Sequence, residues 1–207
     1  MKYGLMPKIM WMGFKGTFKK QLTETFSEEN PHQIMKEAHK KYKEILSTVN
    51  EFEKGDRFLI NILSCAMLSS ILLSVKKKYT VEEVRVYYRK AMCENKLTKM
   101  SAKKSKAYTL KGRNILKQQA KKSEQINNPY SWKFSVEDGE TLNQYTAIFY
   151  TCGICHLMTK LGLKEYVPAM CSLDYDMAHL NNTIFTREYT LASGGPYCDC
   201  HYNHQGK

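Results

Sequence analysis

Apolar residues recur at spacings of three and four along the first half of the chain, which is the period of an amphipathic helix. Ile34–Phe52 forms one such stripe, and Asn30-Pro31 ahead of it supplies a cap residue and a proline suited to the first helical position. Thr80 and Glu83 match a capping box in front of a second stripe. The pattern predicts a helical part over residues 1–128.

An uncharged stretch of 18 residues, Phe58–Val75, raises the question of a membrane span. Its length is at the lower edge of what a bilayer requires, and it contains Asn61 and four serines with no second span to shelter them. A fully buried central helix fits this composition better. We therefore expect no membrane partner.

The pattern changes in the second half, where apolar and polar residues alternate. Trp132, Phe134 and Val136 share one side of a predicted strand, and Asp138-Gly139 is typical of a hairpin turn. Thr141–Tyr150 is the predicted returning strand.

The rest of the chain adds two short helices and two strands. The predicted helices are His156–Leu163 and Pro168–Leu180. One predicted strand carries Phe185, Arg187, Tyr189 and Leu191 on one face. The second predicted strand spans Tyr197–Tyr202. The fold class is α+β, with a helical N-terminal half packed with a small antiparallel sheet in the C-terminal half. We expect one domain, residues 1–207, in which residues 129–207 hold the sheet and a cysteine-rich site.

The net charge of +12 is concentrated in one window. Lys96–Lys122 holds ten of the 32 Lys and Arg residues and no Asp or Glu, which leaves 22 basic against 20 acidic residues elsewhere. The window is predicted to be helical, and its charge indicates either a solvated helix face or a patch for phosphate or nucleic acid. No recognition motif accompanies it and Tyr108 is its only aromatic residue, so nucleic acid is the weaker alternative.

The seven cysteines do not indicate a disulfide scaffold, because their number is odd and the N-terminus lacks an export signal. The opening apolar run Ile9–Phe14 is shorter than the hydrophobic region of a secretory signal. We expect reduced thiols and a cytoplasmic location. Five of the seven cysteines and four of the six histidines lie in the last 56 residues, which makes this region the candidate for chemistry.

The thiols of this region allow several kinds of site. Cys152 and Cys155 precede His156 in the spacing of a c-type haem motif, but such haem is attached after export. The same thiols with Cys198 and Cys200 allow a zinc site, although the Cys-x-Cys spacing is tighter than usual. A catalytic thiolate beside a base also fits these residues, and so do thiols that are simply buried in the core. We expect no cofactor, with zinc as the alternative.

The order of residues near the C-terminus predicts which side chains lie together. In extended backbone, Cys198 and Cys200 face one way while Asp199 and His201 face the other. Asp174 lies on a predicted helix, two residues from a second aspartate that points to a different side.

The C-terminal region resembles the L-2-amino-thiazoline-4-carboxylic acid hydrolase family. The resemblance lies in three segments, Met170–Asp174, Phe185–Arg187 and Thr190–Tyr202. The family shows a Cys with a following Asp, then an Arg, then a Thr-Leu-Ala-x-Gly-Gly stretch that closes on Cys-Asp-Phe-Arg/His-aromatic, and Cys152 also fits its pattern. The likeness covers roughly residues 130–202. Cys200 departs from it, since the family usually has Phe there.

The resemblance implies a substrate and a set of roles. The substrate is a cyclic isothiourea that carries a carboxylate, and hydrolysis opens it to N-carbamoyl-L-cysteine. Arg187 would anchor the carboxylate, and Asp174 or Asp199 would pair with the amidine nitrogens. Cys198 would attack the ring carbon, or His201 would deprotonate water.

Two further thiols, Cys171 and Cys152, are expected to bind the substrate. The favoured function is thus a hydrolase with a small-molecule substrate, and the alternative is a non-catalytic domain that binds a small ligand or zinc through the same cysteines. In a purely structural arrangement, Arg187 would pair with Asp199 across strands and Cys198 would pack in the core. The sequence leaves the oligomeric state open.

Overall fold

The computed structural model of the chain describes residues 1–102 and 106–206. The helices within these ranges are α1 (Leu5–Glu24), α2 (Pro31–Ser47), α3 (Leu59–Leu72), α4 (Val81–Cys93), α5 (Lys96–Ala102), α6 (Leu110–Ser123), α7 (Gly153–Lys160), α8 (Val167–Cys171) and α9 (Leu173–Leu180). The strands are β1 (Phe134–Asp138), β2 (Gln144–Phe149), β3 (Thr183–Thr186) and β4 (Cys198–His204), and single turns of 3-10 helix lie at Lys164–Tyr166 and Leu191–Ser193. The predicted α+β class is confirmed.

The helix starts predicted from local patterns are confirmed. Helix α2 begins at Pro31, although the side chain of Asn30 makes no capping hydrogen bond. At the start of α4, the Thr80 hydroxyl accepts from the Glu83 amide at 3.2 Å, and the Glu83 carboxylate accepts from the Thr80 amide at 2.7 Å. This reciprocal pair is a complete capping box, and it satisfies two donors that the helix leaves unpaired.

Helix α3 is the centre of the helical half. Every residue in Ile62–Ile71 is buried, because α1, α2 and α7 pack around the helix. Two of its serines form hydrogen bonds inside the helix. The hydroxyl of Ser64 donates to the carbonyl of Asn61 at 3.0 Å, and the hydroxyl of Ser70 donates to the carbonyl of Met67 at 2.8 Å. The predicted buried helix is therefore confirmed. Within residues 1–102 and 106–206, no helix combines the length and apolarity that crossing a membrane requires.

The four strands form one antiparallel sheet in the order β1-β2-β4-β3. The inner face is directed at the helices, with α6 packed on β1 and α9 on β3. Inner-face residues include Ala147, Phe185, Cys198 and Cys200, which form a small apolar cluster together with Ala178 of α9. This cluster anchors β3, β4 and α9 to one another.

The hairpin between β1 and β2 has a longer turn than predicted. The returning strand begins at Gln144 and not at Thr141, because the amide of Gln144 donates to the carbonyl of Thr141 at 3.0 Å and closes a turn inside the loop. Gly139 then donates its amide to the carbonyl of Gln144 at 3.2 Å, so the loop spans residues 139–143. The predicted hairpin after Asp138 and the pairing of its two strands are therefore confirmed, while the predicted start of the returning strand is wrong by three residues.

The predicted third strand is shorter than its alternating pattern. The pattern predicts Phe185, Arg187, Tyr189 and Leu191 on one face, but β3 ends at Thr186. Beyond that point the chain no longer bonds to the backbone of β4. Instead, the amides of Glu188 and Tyr189 donate to the Asp199 carboxylate, and the amide of Leu191 donates to Cys198 Sγ at 3.3 Å. Hydrogen bonds to side chains of β4 thus replace the backbone hydrogen bonds that would have continued the strand.

The basic window of the sequence forms α5 and α6, and its residues 103–105 lie outside the described ranges. One of its cations is internal: the Arg113 side chain is 4% exposed and donates to Asp138 at 2.8 Å. Its guanidinium also bonds to the carbonyls of Ala107, Leu142 and Gln144 at 3.0–3.1 Å. Arg113 therefore fastens α6 to the β1–β2 hairpin, so this cation stabilises the fold and is not available to a ligand.

Candidate functional site

An ion pair between Arg187 and Asp174 joins the segment after β3 to α9. Arg187 Nη1 donates to Asp174 Oδ2 at 3.0 Å, and Nη2 donates to the carbonyl of Cys171 at 3.2 Å. The Arg187 side chain is 6% exposed, whereas the Asp174 side chain is 49% exposed. The alternative pairing of Arg187 with Asp199 is not formed, since Asp199 lies on the other face of the sheet.

Three thiols lie beside this ion pair. Cys198 and Cys200 are buried on the inner face of β4, and Cys171 is half-buried at the end of α8. The Arg187 charge is near enough to lower the pKa of each of the three, although burial is the larger influence. A guanidinium, a carboxylate and sulfhydryls therefore converge between the inner face of β4 and the α8–α9 segment.

The thiols of this site are neutral at physiological pH. Burial raises the pKa of Cys200 to about 12, and it also raises the pKa of Cys171 and of Cys198. The positive charge of Arg187 opposes the effect without overcoming it. A nucleophilic cysteine needs a neighbouring cation or base strong enough to hold a thiolate, and this geometry does not provide one.

The Asp174 carboxylate is both surrounded by protein and accessible. Desolvation by the surrounding protein raises its pKa, and the charge and hydrogen bond of Arg187 work in the opposite direction. Nevertheless, half of its side-chain surface is accessible. Its Oδ2 accepts a hydrogen bond from Arg187, and its Oδ1 has no hydrogen-bond partner among the described residues.

Asp199 lies on the outer face of β4 and organises the backbone that carries Arg187. Its Oδ1 accepts from the Tyr189 amide at 2.6 Å, and both carboxylate oxygens are 3.2 Å from the Glu188 amide. Burial alone would raise the pKa of Asp199, but these hydrogen bonds outweigh it and lower the pKa. The carboxylate therefore fixes the two residues that directly follow Arg187.

His201 stands on the same outer face as Asp199, as the alternation predicts. Its Nε2 is 3.1 Å from Asp199 Oδ2, and its Nδ1 is 2.8 Å from the hydroxyl of Thr146, the residue opposite it on β2. With the proton on Nε2, the ring donates to the carboxylate and accepts from the hydroxyl. The predicted catalytic residues are thus divided: Asp174 and Cys198 lie on the inner side of the sheet, and Asp199 and His201 on the outer side.

Cys152 is the N-cap of α7, and its Sγ accepts from the Cys155 amide at 3.4 Å. It lines a cleft of about 380 Å³ with Trp132, Lys133 and the exposed His156. On its other side it is close enough to Cys198 for the two thiols to influence each other's pKa. Among the residues that the structure describes, no three His, Cys, Asp or Glu side chains are grouped in a way that could hold a metal ion.

Three contacts of the site were not predicted from the sequence. The rings of Tyr175 and Phe185 lie 5.7 and 5.5 Å from the guanidinium of Arg187 and form apolar walls around it. Thr146 completes the outer contact with His201. The two aspartates of α9 bind different arginines, as their helical spacing predicts, because Asp176 accepts from Arg89 at 2.7 Å. Only the register of β2 against β4 could have identified Thr146.

A comparison with protein-family models matches residues 60–202 to the family described as L-2-amino-thiazoline-4-carboxylic acid hydrolase. The match starts inside α3, well before the region near residue 130 where the sequence likeness begins, and it ends inside β4. It therefore includes the central helix, the sheet and both sides of β4. Neither the curated proteins nor the solved structures gave a match.

Proposed function

We propose that the chain, which belongs to the L-2-amino-thiazoline-4-carboxylic acid hydrolase family, opens a small cyclic isothiourea by hydrolysis. The proposed substrate carries a carboxylate on the ring, and the product is an N-carbamoyl-cysteine-like compound with a free thiol. The observation that carries this proposal is the Arg187–Asp174 pair, whose carboxylate is half accessible and which lies beside three thiols of raised pKa.

The charge pair is complementary to a zwitterionic substrate. A thiazoline carboxylate has a negative carboxylate at one end and a basic amidine at the other. Arg187 supports the first end through its positive charge, and Asp174 supports the second through its accessible carboxylate. The Nε–H of Arg187 is buried and has no hydrogen-bond partner within the described ranges. Burial of most of the guanidinium strengthens its attraction for an anion.

The reaction requires water to add to the ring carbon between nitrogen and sulfur. The C–O bond forms, the C–S bond breaks, and the sulfur leaves as a thiol while the carbon becomes the carbonyl of a urea. We assign the proton transfer to Asp174: its Oδ1 takes a proton from the attacking water and returns one to the departing sulfur. Desolvation raises the pKa of this carboxylate, which makes it a stronger base than an aspartate with an ordinary pKa.

Water is the proposed nucleophile because the thiol of Cys198 is buried and its pKa is raised. The half-buried Cys171 then serves as a small, apolar surface on which the ring rests, while Cys198 and Cys200 are buried in the core beside it. Asp199 is a positioning residue in this proposal, since it acts on Arg187 through the backbone of residues 188–189.

The proposal is tested by turnover of L-2-amino-thiazoline-4-carboxylate, followed with a thiol-reactive dye and by the mass of the product. We expect Asp174→Asn to lower kcat by about a hundredfold or more, as the loss of a general base does. Asp176→Asn is the matched control on the same helix, because Asp176 faces Arg89, and its kcat should change by less than about threefold.

Two variants separate the proposed roles. Cys198→Ser should keep kcat within about tenfold of the parent, because a hydroxyl cannot replace a nucleophilic thiolate but can replace a buried thiol that takes no part in the reaction. A folded Cys198→Ser protein without activity, together with an active Asp174→Asn protein, would contradict the water mechanism. Absence of turnover by the parent protein would refute the substrate.

A further inference from the structure

A second concavity lies beside the start of α6, on residues that the proposed hydrolase site does not use. Its volume is about 430 Å³, which is within the range of small-molecule sites. The cleft is bordered by the segment before α3, by residues 106–109 and by the first turns of α6. Three of its lining residues are cations, namely Arg57, Lys106 and Lys111, and none is an Asp or Glu.

These three cations are unbalanced. Within residues 1–102 and 106–206, none of them forms an ion pair. Asp138, an acidic residue close to α6, is already engaged by Arg113 and Lys117. The positive potential in the cleft is therefore uncompensated, and low-dielectric walls concentrate such a potential.

Two local contacts fix where the charges stand. The guanidinium of Arg57 donates through Nη1 to Gln119 Oε1 at 3.2 Å, which holds it over the cleft from the far wall. The backbone of Lys106 packs directly on the first turn of α6, where a Cβ at Gly112 would collide with the Lys106 carbonyl oxygen. The absence of a side chain at Gly112 thus permits the close approach that brings Lys106 beside Lys111.

The floor of the cleft is apolar. Ala107, Ile115 and Leu116 line it, and the Ile115 side chain stays 45% exposed. A cleft that combines three converging cations with an apolar floor suits a compact polyanion attached to an apolar or aromatic group. We propose that this cleft binds a small compound that carries two or more phosphoryl groups.

A nucleic acid is a poorer fit than a small ligand. Binding of single strands without sequence preference depends on exposed aromatic rings for base stacking. Tyr108 is the aromatic residue next to the cleft, and its ring is already stacked on His204 with the centroids 4.5 Å apart. Its hydroxyl is also 3.1 Å from that of Thr183. The ring that would receive a base is therefore used to join this segment to β3 and β4.

Titration calorimetry with pyrophosphate tests the proposal, using the full chain at moderate ionic strength. We expect measurable binding by the parent protein and at least tenfold weaker binding by the double variant R57A/K111A. The matched control is K121A/K122A, which removes the same charge from exposed positions of α6 outside the cleft and should weaken binding by less than about twofold. Thermal unfolding of each variant shows that it is folded.

Three results would overturn the proposal. They are no binding of pyrophosphate by the parent, equal weakening in both double variants, and tighter binding of a single-stranded oligonucleotide than of pyrophosphate with a steep dependence on salt. Turnover of the thiazoline carboxylate by R57A/K111A should equal that of the parent. The two proposals therefore succeed or fail separately.

Discussion

Replacing Asp199 tests how the chain holds Arg187 in place. Asp199→Ala removes the acceptor of the Glu188 and Tyr189 amides, which follow Arg187 directly. Because Asp199 is only 7% exposed, water has little access to the amides that lose their partner. Hydrogen bonds to a charged group contribute about 1.5–3 kcal/mol each, so two such bonds set the expected loss at about 3–6 kcal/mol. The contact with half-exposed His201 adds little to this sum.

The matched variant Asp199→Asn keeps one acceptor oxygen, loses the charge and replaces the second oxygen with an NH2 group. We expect it to lower the free energy of unfolding by about 1–2 kcal/mol. Urea denaturation followed by tryptophan fluorescence measures both variants, since the buried Trp132 reports on the C-terminal half. A loss below about 1 kcal/mol for Asp199→Ala would refute the proposed role of the carboxylate in holding this segment.

The pH dependence gives an independent check of the same carboxylate. Its pKa is lower in the folded protein than the value of about 3.9 that an unfolded aspartate has. Its contribution to stability is therefore fully present above about pH 4 and is lost as the pH falls through the folded pKa. The stability difference between the parent and Asp199→Asn should shrink below about pH 4. An unchanged difference at pH 3 would contradict the lowered pKa.

Three further predictions concern local features of the chain. Gly112→Ala should destabilise the protein because its Cβ meets the carbonyl of Lys106. Gly16→Ala, at an exposed position of α1, should stabilise the protein by about 0.5–1 kcal/mol, and thermal unfolding compares the two variants. Thr80→Ala should cost about 1 kcal/mol in urea denaturation, because it removes the hydroxyl half of the capping box. Cys200, with a pKa of about 12, should resist iodoacetamide at pH 8 in the native protein and react in urea, as peptide mass spectrometry can show; modification in the native protein would contradict its burial.

Local patterns predicted the elements better than their ends. The capping box at Thr80 and the proline at position 31 mark helix starts because the interactions that define them lie within one turn. The alternation in β4 correctly predicted that Asp199 and His201 share a face. The same alternation extended β3 too far. A strand continues only while a partner backbone is available, and after Thr186 a side chain takes that place.

The partner of Arg187 could not be read from the sequence, because it depends on how α9 packs on the sheet. On sequence grounds Asp199, across strands, is the candidate partner, and no pattern indicates Asp174. The pleat of β4 decides between them: it directs Asp199 away from α9 and leaves Asp174, on that helix, facing the guanidinium. Contacts between residues far apart in the chain produce no periodic pattern of apolar and polar residues in the sequence. A shift of β4 by one residue would exchange the two faces completely.

The division of β4 into two faces also explains what the substitution at Cys200 changes. Cys200 lies on the inner face among small neighbours, opposite Ala147 on β2 and near Ala178 of α9. The phenylalanine that is usual in the family would add a ring in this part of the core, near Arg187 and Asp174. With cysteine the buried side chain is smaller, while the charge pair and the outer carboxylate are unaffected. We therefore expect this departure to alter the size of the accepted substrate and to leave the type of reaction unchanged.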